Sequence, residues 1–242
     1  MPTEPTGRRP LKTRDWPFFK KLAAWLARSG ATPNGISFAS IVFGCLAGAA
    51  LAMTSHFDGW ALRCGWLAAA AFIQLRLIAN LLDGMVAVEG GKGGPTGELW
   101  NEAPDRISDA AIFLGAGFAA GSDPLLGMGA ALVAVFVAYV RALGASVGAG
   151  QIFLGPMAKP HRMAVMTLAC VLLAIFPLTS SLPIHTRSVD LELHDTYYVI
   201  VGLELSLTIL PFALSLVIVG GVITSIRRFR RIAAFLRTPA RP

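Results

Sequence analysis

The sequence predicts an all-α integral membrane protein: six transmembrane helices preceded by a cytoplasmic, N-terminal amphipathic helix. Three observations carry this. Charged residues make up only 14% of the 242 residues and hydrophobic ones 55%, with a mean hydropathy of +0.62, whereas a soluble chain has about 25% charged residues. Apolar runs near the roughly twenty residues that cross a bilayer core recur at 36–55, 61–88, 99–121, 124–148, 160–180 and 205–226. The net charge of +7 gathers at the two ends, in Arg8, Arg9, Lys12, Arg14, Lys20, Lys21 and Arg28, and in Arg227, Arg228, Arg230, Arg231, Arg237 and Arg241. An even number of spans puts both termini on one side, and the positive-inside rule makes that side the cytoplasm. The same rule puts 89–98 and 149–159 inside, with Lys92 and Lys159, and puts 181–204 outside, where Asp190, Glu192, Asp195 and Glu204 outnumber Arg187. Topology and anionic lipid account for a pI of 9.8, so the reading has no nucleic-acid partner. A soluble bundle is disfavoured because runs such as "GMGAALVAVFVAYV" have no polar face.

Residues 1–13 are polar and proline-bearing, a disordered N-terminus by composition. Residues 14–30, "RDWPFFKKLAAWLARSG", form an interfacial helix: Trp16, Phe18, Phe19, Leu22, Trp25 and Leu26 suit lipid, while Lys20, Lys21 and Arg28 suit headgroups. Gly30 ends it, and "TPNG" turns the chain into the first span. Residues 31–230 read as one six-helix membrane domain without repeats, and 231–242 as a basic cytoplasmic tail. The first apolar run begins near Ile36, too far in and too long for a cleavable signal. Cys45, Cys64 and Cys170 lie in apolar stretches and read as buried packing residues. Trp60, Trp66, Trp100, Tyr197 and Tyr198 fall near span ends and read as interface anchors. The small residues of "GAGFAAG" and "GMGAA" would let helices approach closely.

Against this apolar background, "NLLDGMVAVEGGKGGPTGELWNEAPDRISD" (80–109) holds Asp83, Glu89, Glu98, Glu102, Asp105 and Asp109. At about 100° per residue, Asn80, Asp83, Gly84 and Ala87 share one face at the cytoplasmic end of the second span, with Arg76 one turn earlier. After the glycine-rich loop, Asn101, Asp105 and Asp109 stack at i, i+4 and i+8 on the third, flanked by Glu98 and Glu102. Ionised carboxylates at membrane depth cost several kcal/mol each unless paired, hydrated or bound to metal. Oxygen-only ligands suit Mg²⁺, Mn²⁺ or Ca²⁺. Gly84 and Gly97 leave room for a bulky anionic ligand. An interhelical polar network, or carboxylates wetted at the interface, is the alternative use of the same residues.

At these residues the chain resembles the CDP-alcohol phosphotransferase family, whose signature is D-x-x-D-G-x-x-A-R, a loop, then G-x-x-x-D-x-x-x-D. Here the pattern is Asn80-x-x-Asp83-Gly84-x-x-Ala87-Val88, then Gly97-x-x-x-Asn101-x-x-x-Asp105. The spacing is kept; Asn80, Val88 and Asn101 replace an aspartate, an arginine and an aspartate. "ATPNGISFAS" is similar to the family's entry to its first span, and "YVRALGA" with "AKPHRM" is similar to elements of the bacterial phosphatidylinositol-phosphate synthase branch.

The resemblance implies transfer of a phosphatidyl or phosphoalcohol group from a CDP-linked lipid, such as CDP-diacylglycerol, to a small alcohol, releasing CMP in phospholipid synthesis. It implies Asp105 as the base and Asp83, Asn80, Asn101 and Asp105 as ligands of Mg²⁺ or Mn²⁺. The family normally binds two ions through four carboxylates; with two replaced by amides, one or two ions are expected, more weakly held. Gly84, Ala87 and Gly97 would line the nucleotide site. Arg141, Lys159 and Arg162 would bind an acceptor's phosphate, though they could equally mark the cytoplasmic edge. Glu98, Glu102 or Asp109 could supply lost charge to the metal, and Arg76 or Lys92 could replace the missing arginine. His161 reads as a solvated loop residue. The family also implies a homodimer in the cell (inner) membrane with a cytoplasmic active site. Two other readings stay open: a degenerate family member that binds lipid, nucleotide or a partner without turnover, and a small transporter with a carboxylate-lined path.

Overall fold

The computed structural model describes residues 15–89, 97–176 and 209–237. All regular structure among them is helical: α1 (Pro17–Arg28), α2 (Pro33–Met53), a 3₁₀ turn at Thr54–His56, α3 (Gly59–Glu89), α4 (Gly97–Gly117), α5 (Pro124–Ser146), α6 (Lys159–Ile175) and α7 (Ile209–Arg237). The starts are written locally. Thr32 caps α2 by accepting from the Gly35 amide at 3.1 Å, and Asp123 caps α5 by accepting from Leu125 at 2.7 Å and Leu126 at 3.2 Å. A proline follows each cap, its fixed φ suited to the first turn.

Helices α2 to α7 stand at the six predicted span positions. Four are long and apolar enough to cross a membrane: Pro33–His56, Gly59–Val88, Pro124–Ser146 and Ile209–Arg237. Helix α4 misses that mark because Glu102, Asp105, Arg106 and Asp109 fall within its middle. Helix α6 misses it by length, with 17 residues. Helix α7 runs to Arg237, so Arg231 and Arg237, expected on a tail, lie on the helix. The expected external loop 181–204, with Tyr197 and Tyr198, lies outside the described residues.

The distribution of polarity departs from that of a soluble protein. Arg76, Asp83, Asp105, Asp109, Arg162 and Arg228 are buried, while Leu132, Phe118, Leu168, Phe212 and Val219 are exposed on outward faces. An outer surface this apolar matches hydrocarbon rather than water. This also corrects two expectations. Cys45 and Cys64 are exposed and only Cys170 is buried, because an apolar residue here need not face the core. Trp66 is 2% exposed and packs with Leu51, Ile73 and Phe113 inside the bundle, so it is not an interface anchor; Trp60, at 78% exposed, is free for that role.

Helix α4 carries the most acidic residues of the described helices and is held by backbone-close packing. A methyl on Gly115 would sit 2.1 Å from the Gly48 carbonyl oxygen, and one on Gly44 would sit 2.5 Å from Ser108 Cβ. On its other side, a methyl on Gly127 of "GMGAA" would sit 2.5 Å from Gly117 Cα of "GAGFAAG". Small residues let these backbones touch. The contact fixes the depth and rotation of α4 against α2 and α5, and therefore where Asp105 and Asp109 point.

Candidate active site

Five helices deliver polar side chains to one end of the bundle: α2 brings Ser37, α3 Arg76, Asn80 and Asp83, α4 Glu102, Asp105, Arg106 and Asp109, α5 Arg141, and α6 Lys159 and Arg162. Arg76, wholly buried, is the pivot. One of its terminal nitrogens donates to Asp109 Oδ1 at 2.7 Å, to Asp105 Oδ1 at 3.2 Å and to the Asp105 carbonyl at 3.3 Å. Arg162 donates to the other Asp109 oxygen at 2.7 Å. Asp105 Oδ1 also accepts from Asn80 Nδ2 at 2.8 Å and from the Lys159 ammonium. Asp105 Oδ2 has no protein partner among the described residues.

The Asn80 orientation follows from chemistry. A carboxylate only accepts, so the amide NH₂ must face Asp105 and the amide oxygen must face away. That oxygen is buried with no partner among the described residues. One turn along the same helix, Asp83 Oδ2 accepts from Ser37 Oγ at 2.8 Å, while Asp83 Oδ1 is also buried, with no partner among the described residues. Two hard oxygens therefore stand unsatisfied on one face of α3, a state that favours a cation.

The predicted residues divide accordingly. Asn80, Asp83 and Asp105 converge as expected. Gly84 and Ala87 lie on the same face of α3, half-buried, and Gly97 begins α4 with open space around it. Glu98 and Asn101 lie on the α4 backbone, and Lys92 lies outside the described residues. Arg76, offered as a replacement for the missing nucleotide cation, is enclosed with its carboxylate partners and cannot serve. Asp109, offered as an extra metal ligand, has both oxygens taken by arginines. Glu102, offered likewise, is claimed by Arg106 and Arg141. Of the expected phosphate binders, Arg141 pairs with Glu102, Lys159 with Asp105 and Arg162 with Asp109. Val88, in the place of the family's arginine, is 64% exposed. Sequence reasoning missed Ser37, which stands in the quoted "ATPNGISFAS" with no spacing rule to mark it. It also missed Arg106, although an i, i+4 pair with Glu102 is legible in the sequence.

Among the described residues no three of His, Cys, Asp and Glu form a metal-holding group. The oxygens left open fit one divalent cation at Asp83 and Asn80. They do not fit a second at Asp109, and Asp105 already faces two cations.

No protein-family model matches the chain. It is 30% identical over 161 residues to the archaetidylinositol phosphate synthase of Aeropyrum pernix, covering 66% of this chain and 77% of that protein. The chain belongs to the CDP-alcohol phosphotransferase family. It is also 26% identical over 153 residues to the inner membrane protein YnbA of Escherichia coli, covering 63% of this chain and 73% of that one. Its fold is shared with the phosphatidylinositol phosphate synthase of Mycobacterium tuberculosis. The form with CDP-DAG bound superposes at a TM-score of 0.65 with 19% identity, covering 92% of this chain and 95% of that one. The form in complex with manganese and citrate gives 0.65 and 19%, covering 92% and 90%.

Proposed function

We propose that this phosphotransferase moves a phosphatidyl-type group from a CDP-linked lipid to a small alcohol and releases CMP. The observation that carries the reading is that Asp105, from the second half of the family signature, is tied to Asn80 of the first half and to Lys159, with Asp83 one turn from Asn80 on the same helix. The acceptor hydroxyl oxygen attacks the lipid-side phosphorus. The new O–P bond forms as the bond to the CMP oxygen breaks, and CMP leaves with that electron pair. The hydroxyl proton goes to Asp105 Oδ2, the oxygen left open while Oδ1 is anchored by Arg76, Asn80 and Lys159. Asp83 and Asn80 would hold Mg²⁺ or Mn²⁺, which when bound offsets the charge of the diphosphate and the departing CMP. Gly84, Ala87 and Gly97 leave the nucleotide room. Arg141 would take an acceptor's phosphate by exchanging Glu102 for it, and Lys159 and Arg162 add positive potential behind it.

The same reading has α4 and α6 crossing the membrane with the other four helices, shielded by them. It has α1 lying on the cytoplasmic surface with Trp16, Phe18 and Trp25 outward. Both termini and the site face the cytoplasm of a homodimer in the inner membrane.

A second reading, a family member that binds its ligands without turnover, draws on one observation: Asn80 donates to Asp105 where a carboxylate would not. CMP release decides between them. Purified protein is incubated with CDP-diacylglycerol, Mg²⁺ or Mn²⁺, and glycerol 3-phosphate, inositol phosphate, inositol, serine or choline in turn. Release that depends on one acceptor, and is lost in Asp105→Ala, supports transfer and names the acceptor. Binding of CDP-diacylglycerol with no release from any acceptor supports the second reading.

A further inference from the structure

We infer that Lys159 is a built-in cation for Asp105, and that the chain binds one divalent cation, at Asp83 and Asn80, instead of two. The inference deepens the proposed reading of this cluster and rests on it.

Apart from Glu102 and its partners Arg106 and Arg141, the charges of the cluster balance: three carboxylates, Asp83, Asp105 and Asp109, and three cations, Arg76, Lys159 and Arg162. The balance is uneven in space. Asp109 is closed on both oxygens, by Arg76 and Arg162 at 2.7 Å each. Asp105 is shared between Arg76 and Lys159, from α3 and α6. A metal ion bound to Asp105 would stand against two fixed positive charges in a site of low dielectric, where like charges repel strongly. Asp83 has no such neighbour in contact. Its one described side-chain partner is the neutral Ser37, at 2.8 Å, which holds Oδ2 and leaves Oδ1 buried and open. Asp83 is 4% exposed, so water does not readily serve that oxygen.

Asn80 links the two ends. Its NH₂ is committed to Asp105, which turns its carbonyl oxygen away, open and buried. Asp105 thus positions a metal ligand without being one. Replacing a family carboxylate by an amide at position 80 is coherent with a lysine at position 159. A second carboxylate at 80 would repel Asp105, whereas the amide donates to it, and Lys159 supplies the charge that an ion there would have brought.

The test counts Mn²⁺ on the full-length protein in detergent, by the loss of the free-ion electron paramagnetic resonance signal, with no substrate present. One ion per chain is expected. Asp83→Asn should weaken it by more than about 100-fold. Asp105→Asn should weaken it less, within the roughly 10–100-fold typical of losing a group that orients a ligand. Lys159→Met should admit a second, weaker ion, and size-exclusion chromatography checks that each variant is folded. Two ions or none in the unaltered protein overturns the inference, and so does an Asp105→Asn loss equal to that of Asp83→Asn. A Lys159→Met protein that still holds one ion removes the lysine's role. CMP release, measured in parallel, keeps the readings apart. One ion without CMP release sinks the transferase and leaves this inference standing; CMP release with two ions does the reverse.

Discussion

The two halves of the family signature meet in one cluster but live in different surroundings. On α4, Asp105 and Asp109 are crowded with donors: Arg76, Arg162, Lys159 and Asn80 all converge on them. On α3, Asp83 has one described side-chain partner, Ser37, and keeps a bare oxygen. The residue type is the same, and the difference comes from what the neighbouring helices bring. Asp109 on α4, with both oxygens taken, is built like a structural ion pair, whose loss is felt as stability, while Asp105 keeps Oδ2 open beside it. The α3 end is left unsatisfied in the protein alone, which is what a ligand site requires.

That contrast can be broken in order of expected effect. Arg76→Met should be the most damaging to the fold, because it strips Asp109 of one buried partner and Asp105 of another. Breaking a buried pair from one side costs about 3–5 kcal/mol, which a thermal melt in detergent would register as a large drop. Gly115→Val tests the packing that places α4. With a methyl already 2.1 Å from the Gly48 carbonyl, we expect aggregation or loss of the folded monodisperse peak, since overpacking costs about 1–3 kcal/mol even where neighbours can adjust. Asp83→Asn should leave the melt within about 1.5 kcal/mol of the parent, being nearly isosteric, while CMP release falls by a factor of about 10² or more. If Asp83→Asn instead melted as early as Arg76→Met, the two ends would be alike and the comparison would fail. Ser37→Ala should be mildest, about 1 kcal/mol for a lost hydrogen bond, with Mn²⁺ affinity reduced more visibly than stability.

Much of this was legible in the residues. The apolar runs located α2 to α7, because hydrocarbon leaves helices as the economical way to satisfy a backbone. Thr32-Pro33 and Asp123-Pro124 wrote two helix starts. The kept spacing from Asn80 to Asp105 marked residues that share the polar cluster, since helical periodicity turns i, i+3 and i, i+4 intervals into a common face. Composition also misled. Trp66 near a span end looked like an anchor and is core, and Cys45 and Cys64 look outward, because in an apolar solvent hydropathy no longer separates inside from outside.

Partnership, by contrast, follows from the fold. Arg76, Lys159 and Arg162 are each separated from their carboxylates by 29 to 54 positions, and no local rule pairs them. The close α2–α4 and α4–α5 contacts through Gly44, Gly48, Gly115 and Gly127 set how α4 is turned. Long-range electrostatics then selects which carboxylate is neutralised and which is left open. Composition and spacing were enough for a helical membrane chain with carboxylates gathered at one end; the packing of α3, α4 and α6 set which carboxylate oxygens are paired and which stay open.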